Sequence, residues 1–267
     1  MRKNVLITGA GRGLGRAIAE RFHANGWFVI ATDLVPELLA ALENKEGFIA
    51  LPMDVASDRS VQAAFQEISK AVSTLDLIIN NAGVDRYFPL SEAPVEHVKK
   101  LFEVNFFGAY RVNQTFLPLL KQPGGGIIAI GSESLHIKMP FLSYPVSKRT
   151  LENYILALRQ ELWFSGRWAT VVRCGPMRTA MLENVYHLKS EVENTSLDEV
   201  FRTFAASAPK EIGRIIDPSE AARRILKIAE SERPKAVYRI NNGLQLRMLK
   251  WLPYSLVEWA VRRKLSG

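Results

Sequence analysis

Tyr144 and Lys148 stand four residues apart in Tyr144-Pro145-Val146-Ser147-Lys148. In a helix that spacing puts them one turn apart on one face, and Pro145 suits the first turn of such a helix. A phenol with an ordinary pKa of about 10 is a poor base at neutral pH. A neighbouring ammonium favours the phenolate and lowers that value. Together the two residues form a candidate proton shuttle. Read singly, they are a half-buried aromatic and a solvated charge.

A second constellation opens the chain. Val5-Leu6-Ile7-Thr8 runs into Gly9-Ala10-Gly11-Arg12-Gly13-Leu14-Gly15, and a helical pattern follows at once. Glycines permit a tight turn and a close backbone approach. The helix N-terminus adds N–H donors and the positive end of its dipole. Strand, glycine loop and helix in that order make a pyrophosphate cradle, a much stronger signal than three glycines alone. Asp33 ends the next strand, 18 residues beyond Gly15, near the roughly 20 expected of an acid that binds an adenine ribose. Its carboxylate accepts from a 2′-OH and repels a 2′-phosphate, which favours NAD over NADP. Arg12 acts in the opposite sense, since a guanidinium in the loop can pair with that phosphate.

Short apolar runs read as strands at Asn4–Thr8, Trp27–Thr32, Phe48–Met53, Leu75–Asn80, Gly126–Gly131, Ala169–Arg173 and Ala236–Ile240, by their length and β-branched content. Helical patterns lie between them at about 13–25, 58–73, 95–120, 145–165 and 218–230. Strand followed by helix, repeated, predicts an α/β fold with a doubly wound parallel sheet of Rossmann type. Such a sheet binds ligands beyond the carboxyl ends of its strands, which is where the residues above fall.

Composition sets the outer bounds. At 48% hydrophobic and 23% charged, the 267 residues are not a disordered, collagen-like or disulfide-framed chain. Cys174 is the single cysteine, which allows no intrachain disulfide and suits a reducing, cytoplasmic compartment. No stretch free of Asp, Glu, Lys and Arg exceeds 11 residues, whereas a spanning helix needs roughly 20 apolar ones. The apolar run after Met1-Arg2-Lys3-Asn4 is too short for a signal peptide. The net charge of +8 lies wholly in residues 221–267, which hold eleven Lys/Arg against three Asp/Glu. The excess belongs to the tail and no recognition motif accompanies it, so nucleic acid is not an expected partner. His23, His97, His136 and His187 lack metal-ligand spacing, and no metal site is expected.

Taken in order, the motifs resemble the classical short-chain dehydrogenase/reductase family, from Asn4 to about Ile240. Thr8-Gly9-x-x-x-Gly13-x-Gly15 is similar to its cofactor loop. Asp54-Val55 is similar to its adenine-contacting pair, and Asn80-Asn81-Ala82-Gly83 to its Asn-Asn-Ala-Gly signature. Asn105 resembles the active-site asparagine, and Tyr144 with Lys148 the Tyr-x-x-x-Lys motif. The resemblance implies hydride transfer between a nicotinamide cofactor and an alcohol or ketone. Tyr144 is then the general acid/base, and Lys148 tunes the phenol and binds the nicotinamide ribose. By the same resemblance Ser132 holds the substrate oxygen, Asn105 supports a water relay to Lys148, and Thr179 contacts the carboxamide. Cofactor contacts fall on Thr8, Gly9, Arg12, Gly13, Leu14, Gly15, Asp33, Asp54, Val55, Asn81, Ala82, Gly83, Tyr144, Lys148 and Thr179. A homodimer or homotetramer is also implied.

The chain departs from the family pattern in two places. The family's serine lies thirteen residues before the tyrosine; here that position is Gly131, and Ser132 lies twelve before, with Ser134 as competitor. Cys174-Gly175-Pro176 stands where the family has Pro-Gly, so the loop loses a proline's fixed φ. Cys174 itself reads as a buried structural thiol, and His136 as a loop histidine. The intact set favours an enzyme over a catalytically silent nucleotide-sensing or scaffold protein on the same fold. The four-residue Tyr–Lys step favours alcohol/carbonyl chemistry, because enoyl reductases of the superfamily use a wider one.

Residues 1–243 are expected to form one dinucleotide-binding and catalytic domain. Residues 177–213 lie where the family carries its substrate lid. Met177, Met181, Leu182, Val185, Tyr186, Leu188, Val192, Val200, Phe201 and Phe204 make this segment apolar. An apolar lid suits a lipophilic substrate of the steroid, retinoid or fatty alcohol class; the same residues could equally pack on the core. Residues 244–267 form a basic tail. Ser255 and Glu258 read as a capping box, and Arg262, Arg263 and Lys264 gather at the far end of the short helix, where the dipole favours cations. Packing on protein, anchored by Trp251 and Trp259, is favoured over peripheral contact with an anionic membrane surface.

Overall fold

The apolar runs become strands because helices cover both faces of the sheet, so neither side of a strand needs to be polar. The structure, a computed structural model, describes residues 2–43, 45–136, 139–243 and 252–265, without the side chains of His136 and Glu211. The strands are β1 Asn4–Thr8, β2 Phe28–Asp33, β3 Phe48–Pro52, β4 Leu77–Asn80, β5 Gly126–Ser132, β6 Trp168–Cys174 and β7 Val237–Ile240. They form one parallel sheet in the order β3-β2-β1-β4-β5-β6-β7. Strand order reverses between β1 and β4, which opens a crevice at their carboxyl ends.

The helices are α1 Gly13–Ala24, α2 Asp58–Ala71, α3 Val95–Phe102, α4 Gly108–Phe116, α5 Tyr144–Trp163, α6 Ala180–Glu183, α7 Asp198–Ser207, α8 Pro218–Ala229 and α9 Tyr254–Leu265. Two core layers sandwich the sheet. On one face Val5 and Ile7 of β1 meet Ile18 and Phe22 of α1 and Ile225 of α8. On the other, Leu6 between them meets Val61 and Ile68 of α2, Phe116 of α4 and Leu151 of α5. Alternation along β1 thus feeds both layers, and each fully buried aliphatic chain contributes about 1.5–3 kcal/mol.

The expected single helix at about 95–120 is instead α3, a π turn at Glu103–Phe107, α4 and a short 3-10 turn at Leu117–Leu119. Gly108 follows the π turn where a Cβ would lie 2.8 Å from Val55 Cγ2. Leu75 is not part of β4 but pairs alone with Leu120. Asp33 ends β2 as expected, while Ser132 and Cys174 lie inside their strands, each one residue later than the apolar run indicates. Polar residues at strand ends escape a reading based on hydrophobicity, although their backbones still pair: Ser132 opposes Cys174 across β5 and β6.

The apolar segment at 177–213 divides between both readings. Met177 is buried in the core and bridges Ile216. Phe201 and Phe204 pack on Phe141, with ring centroids 5.1 and 5.4 Å away. Met181, Leu182, Val185 and Leu188 face the crevice. The capping-box reading of Ser255 needs correction. α9 starts one residue earlier, with the Pro253 carbonyl accepting from the Leu256 and Val257 N–H groups. Glu258 pairs forward with Arg262 at 2.7 Å. Val261 and Leu265 join the Phe141, Phe201 and Phe204 cluster, so α9 packs on protein along that side. Trp251 and the rest of 244–251 lie outside the described residues.

Candidate active site

The crevice is held open by a polar clasp between β1 and β4. The Thr8 hydroxyl accepts from the Asn81 and Ala82 N–H groups at 3.1 and 3.0 Å. The Asn81 side-chain amide donates to the carbonyls of Thr8 and Gly9 at 2.9 and 3.0 Å. Thr8 is buried behind the loop, so its part is to shape the cradle and not to face the cleft. Above the clasp the glycine loop turns through Gly9 and Gly13 at φ of 65° and 56°. A Cβ on Gly15 would lie 2.0 Å from the Gly9 carbonyl oxygen, so no larger residue fits. The first turn of α1 has no side-chain cap, which leaves its N–H donors directed into the cleft.

Asp33 closes one end of the cleft. Its carboxylate oxygens accept from the N–H groups of Gly11 at 2.9 Å and Val35 at 3.1 Å, and a Cβ on Gly11 would press on it at 2.9 Å. The Asp54 carboxylate accepts from Ala56 N–H at 2.9 Å, and Asp54, Val55 and Arg12 line the same wall. These glycines, the uncapped helix and the fixed carboxylate fit a dinucleotide.

At the other end, α5 presents Tyr144 and Lys148 from its first turns. Lys148 is buried and its Nζ donates to the Ile130 carbonyl at 2.9 Å. That Nζ lies 5.7 Å from the centre of the Tyr144 ring. The Ser132 hydroxyl is near enough to the Tyr144 phenol to favour its ionised form and lies 2.7 Å from the Ser134 hydroxyl. Of the two candidate serines, Ser132 therefore faces the phenol and Ser134 backs it. The shortened loop does not separate the serine from the tyrosine.

Asn105 sits in the π turn, buried. Its Oδ1 accepts from Val84 N–H at 2.8 Å, and its Nδ2 donates to the Val84 carbonyl at 2.9 Å and to the Ser147 hydroxyl at 3.0 Å. It clamps the loop after β4 to α5. Gly83 fills the gap between Asn105 and Lys148: a Cβ there would lie 3.2 Å from Asn105 Oδ1 and 3.3 Å from Lys148 Nζ.

Burial governs the electrostatics. It pushes the Tyr144 phenol well above its ordinary value, with Cys174 and Asp85 adding to the rise and the Ser132 hydroxyl opposing it. It lowers Lys148 to about 8. The expected downward pull of Lys148 on the phenol does not emerge, because desolvation outweighs their mutual influence. Burial also pushes the Cys174 thiol up to about 12, which leaves it inert.

One cavity of about 1360 Å³ joins both ends, more than the 300–1,000 Å³ usual for a small ligand alone. Every expected site residue lines it except Thr8 and Asn105, which hold it from behind. The segment above is latched to the loop after β4: Arg86 pairs with Glu191 at 2.5 Å and Glu191 N–H donates to the Tyr87 carbonyl at 2.9 Å. Sequence reasoning missed Asp85. It lines the cleft, accepts from the Tyr87 hydroxyl at 3.3 Å and is raised by burial. Its position just past β4, next to the Asn81-Ala82-Gly83 turn, was the available signal. Among the described residues no group of three His, Cys, Asp or Glu is placed to hold a metal, and no helix is long and apolar enough to cross a membrane.

A family model described as short chain dehydrogenase matches residues 3–189. The chain is 30% identical over 280 residues to YusZ of Bacillus subtilis (strain 168), described as an uncharacterized oxidoreductase, covering 99% of each. It is 35% identical over 180 residues to an NADPH-dependent 1-acyldihydroxyacetone phosphate reductase of Schizosaccharomyces pombe, covering 66% of this chain and 60% of that one. A 3-ketoacyl-(acyl-carrier-protein) reductase from Brucella melitensis, complexed with NADH, shares the fold with a TM-score of 0.74 at 20% identity, over 89% of this chain and 96% of that one.

Proposed function

The chain belongs to the short-chain dehydrogenase family of oxidoreductases, and from that premise we propose that it reduces a lipophilic ketone to the alcohol with NADH. The observation that carries this reading is that Ser132, Tyr144 and Lys148 line one cleft with the glycine cradle, the Lys148 Nζ 5.7 Å from the centre of the Tyr144 ring. The reduced nicotinamide, when bound, supplies the hydride. Ser132 and Tyr144 donate to the carbonyl oxygen, so that negative charge developing there is stabilised. Tyr144 keeps its proton at neutral pH because burial holds its pKa up, and it gives that proton to the forming alkoxide. Lys148, near pKa 8, is poised to return a proton to the phenol and to bind the nicotinamide ribose. Asn105 holds the loop against α5, and Thr179, beside Gly13, would hold the carboxamide of the bound nicotinamide.

Asp33 supports NADH. A fixed carboxylate at the ribose end disfavours a 2′-phosphate, although the fission-yeast relative is named for NADPH. Met181, Leu182, Val185 and Leu188 on the cleft wall support a lipophilic substrate, as does the acylated substrate in that relative's name. Phe107 of the π turn, Tyr110 on α4 and Val146 on α5 are each exposed, which supports a homodimer or homotetramer. Oxidation of NADH and NADPH, followed at 340 nm with ketones of rising chain length, tests the reading. The expected outcome is a kcat/KM that climbs several-fold over successive methylenes, with NADH ahead by roughly tenfold or more. A flat chain-length series, or faster NADPH oxidation, contradicts it.

A further inference from the structure

α9 has two dissimilar sides. Val257, Val261 and Leu265 turn inward, the last two onto the Phe141, Phe201 and Phe204 cluster. Opposite them Leu256, Trp259 and Arg263 follow at helical spacing on the outer side. Leu256 is 53% exposed and Trp259 59%, and the Arg263 guanidinium stacks 5.3 Å from the Trp259 ring. Leu252 and Tyr254, both exposed, continue the apolar strip toward the start of the helix. Exposed large apolar residues are ordinary one at a time. Four within eight residues, beside exposed Arg262 and Arg263, form a patch.

The position of that patch gives it meaning. Leu252, Leu256, Val257 and Val261 also line the cavity that Tyr144 lines. The helix therefore forms part of the cleft mouth. Within α9 three cations, Arg262, Arg263 and Lys264, stand against one acid, Glu258. We propose that the outer face of α9 docks on an anionic membrane surface and holds the cleft mouth against the bilayer. Trp and Leu enter the headgroup boundary while Arg pairs with lipid phosphates. A second copy of the chain is the competing occupant, and a two-fold contact through α9 would show as a change in oligomeric mass. The proposal deepens the lipophilic-substrate reading and rests on it only for the route that substrate takes.

Sedimentation of the full chain with vesicles tests it, using phosphatidylcholine alone and mixed with phosphatidylglycerol. Trp259→Glu combined with Arg263→Glu alters the outer face without touching the cavity wall. The parent chain is expected to bind the anionic vesicles, less tightly as salt rises. The double variant should bind roughly tenfold or more weakly, with turnover of a short water-soluble ketone unchanged. Failure of the parent to bind anionic vesicles overturns the proposal, as does equal binding by the variant. A change in oligomeric mass of the variant by light scattering overturns it too, by assigning the face to a subunit contact. Absence of ketone turnover by the parent would strike the proposed function and leave the binding result standing.

Discussion

Lys148 has its charged form penalised by the same burial that makes it useful. Its pKa of about 8, against the ordinary 10.5, means the folded state holds the proton less firmly than the unfolded chain. Below pH 8 both states are protonated and the fold bears the full cost, on the order of 3 kcal/mol. From pH 8 to 10.5 the unfolded chain binds more protons, so stability rises with pH until the cost is gone. Lys148→Met removes the charge and also the bond to the Ile130 carbonyl, worth about 1–2 kcal/mol. The variant should be inactive and yet melt several degrees higher than the parent at pH 7. That gap should close as pH climbs past 8. Calorimetry across pH 6.5–10.5 checks it; a gap of constant size would contradict the burial account. The placement of this residue beside Tyr144 was legible in the sequence because it depends only on a four-residue step along one helix. The direction of their pKa shifts was not, since desolvation is a property of the packed cleft.

The π turn at Glu103–Phe107 exists in the structure and not in the sequence pattern. Apolar spacing at 95–120 fits an uninterrupted helix, and nothing in the residue types marks an i→i+5 bond. Asn105 gives the turn its purpose, with one side chain satisfying both backbone groups of Val84 and the Ser147 hydroxyl. Asn105→Ala should destabilise the protein by about 2–4 kcal/mol, since buried groups left without partners cost about 1–3 kcal/mol each. Urea unfolding measures this, and a loss under about 0.5 kcal/mol would show that the clamp carries no weight. Strand ends were misread for a related reason. Ser132 and Cys174 are polar or small where hydrophobic runs stop, yet the ladder continues through them. The glycine loop and the parallel order were readable because both follow from local steric demands repeated along the chain.

At the scale of the molecule, the chain is one sheet with two core layers and a third, smaller cluster. Phe141, Phe201, Phe204 and Leu265 form that cluster and tie the segment over the cleft to the C-terminal helix. No sequence pattern predicted this, because Phe141 lies 60 residues before Phe201 and Leu265 lies 61 residues after Phe204, so they meet only through tertiary packing. Leu265→Ala should loosen the cluster locally, with a cost of about 2–3 kcal/mol for a buried Leu at the edge of the fold. Hydrogen exchange is expected to speed up across Asp198–Ser207 and α9 while β1, β4 and β5 stay protected. Uniform acceleration through the sheet would contradict the separation of the two cores.

The most direct test of the whole account is a single-turnover comparison of the parent with Tyr144→Phe, using bound NADH and a saturating ketone. The phenyl ring keeps the packing and loses only the hydroxyl that faces Ser132. Cofactor affinity should stay within about twofold, since the phenol is not part of the glycine cradle, while the hydride-transfer rate should fall by about 10²–10⁴-fold. A variant that transfers hydride at the parent's rate would contradict the assignment of Tyr144 as proton donor.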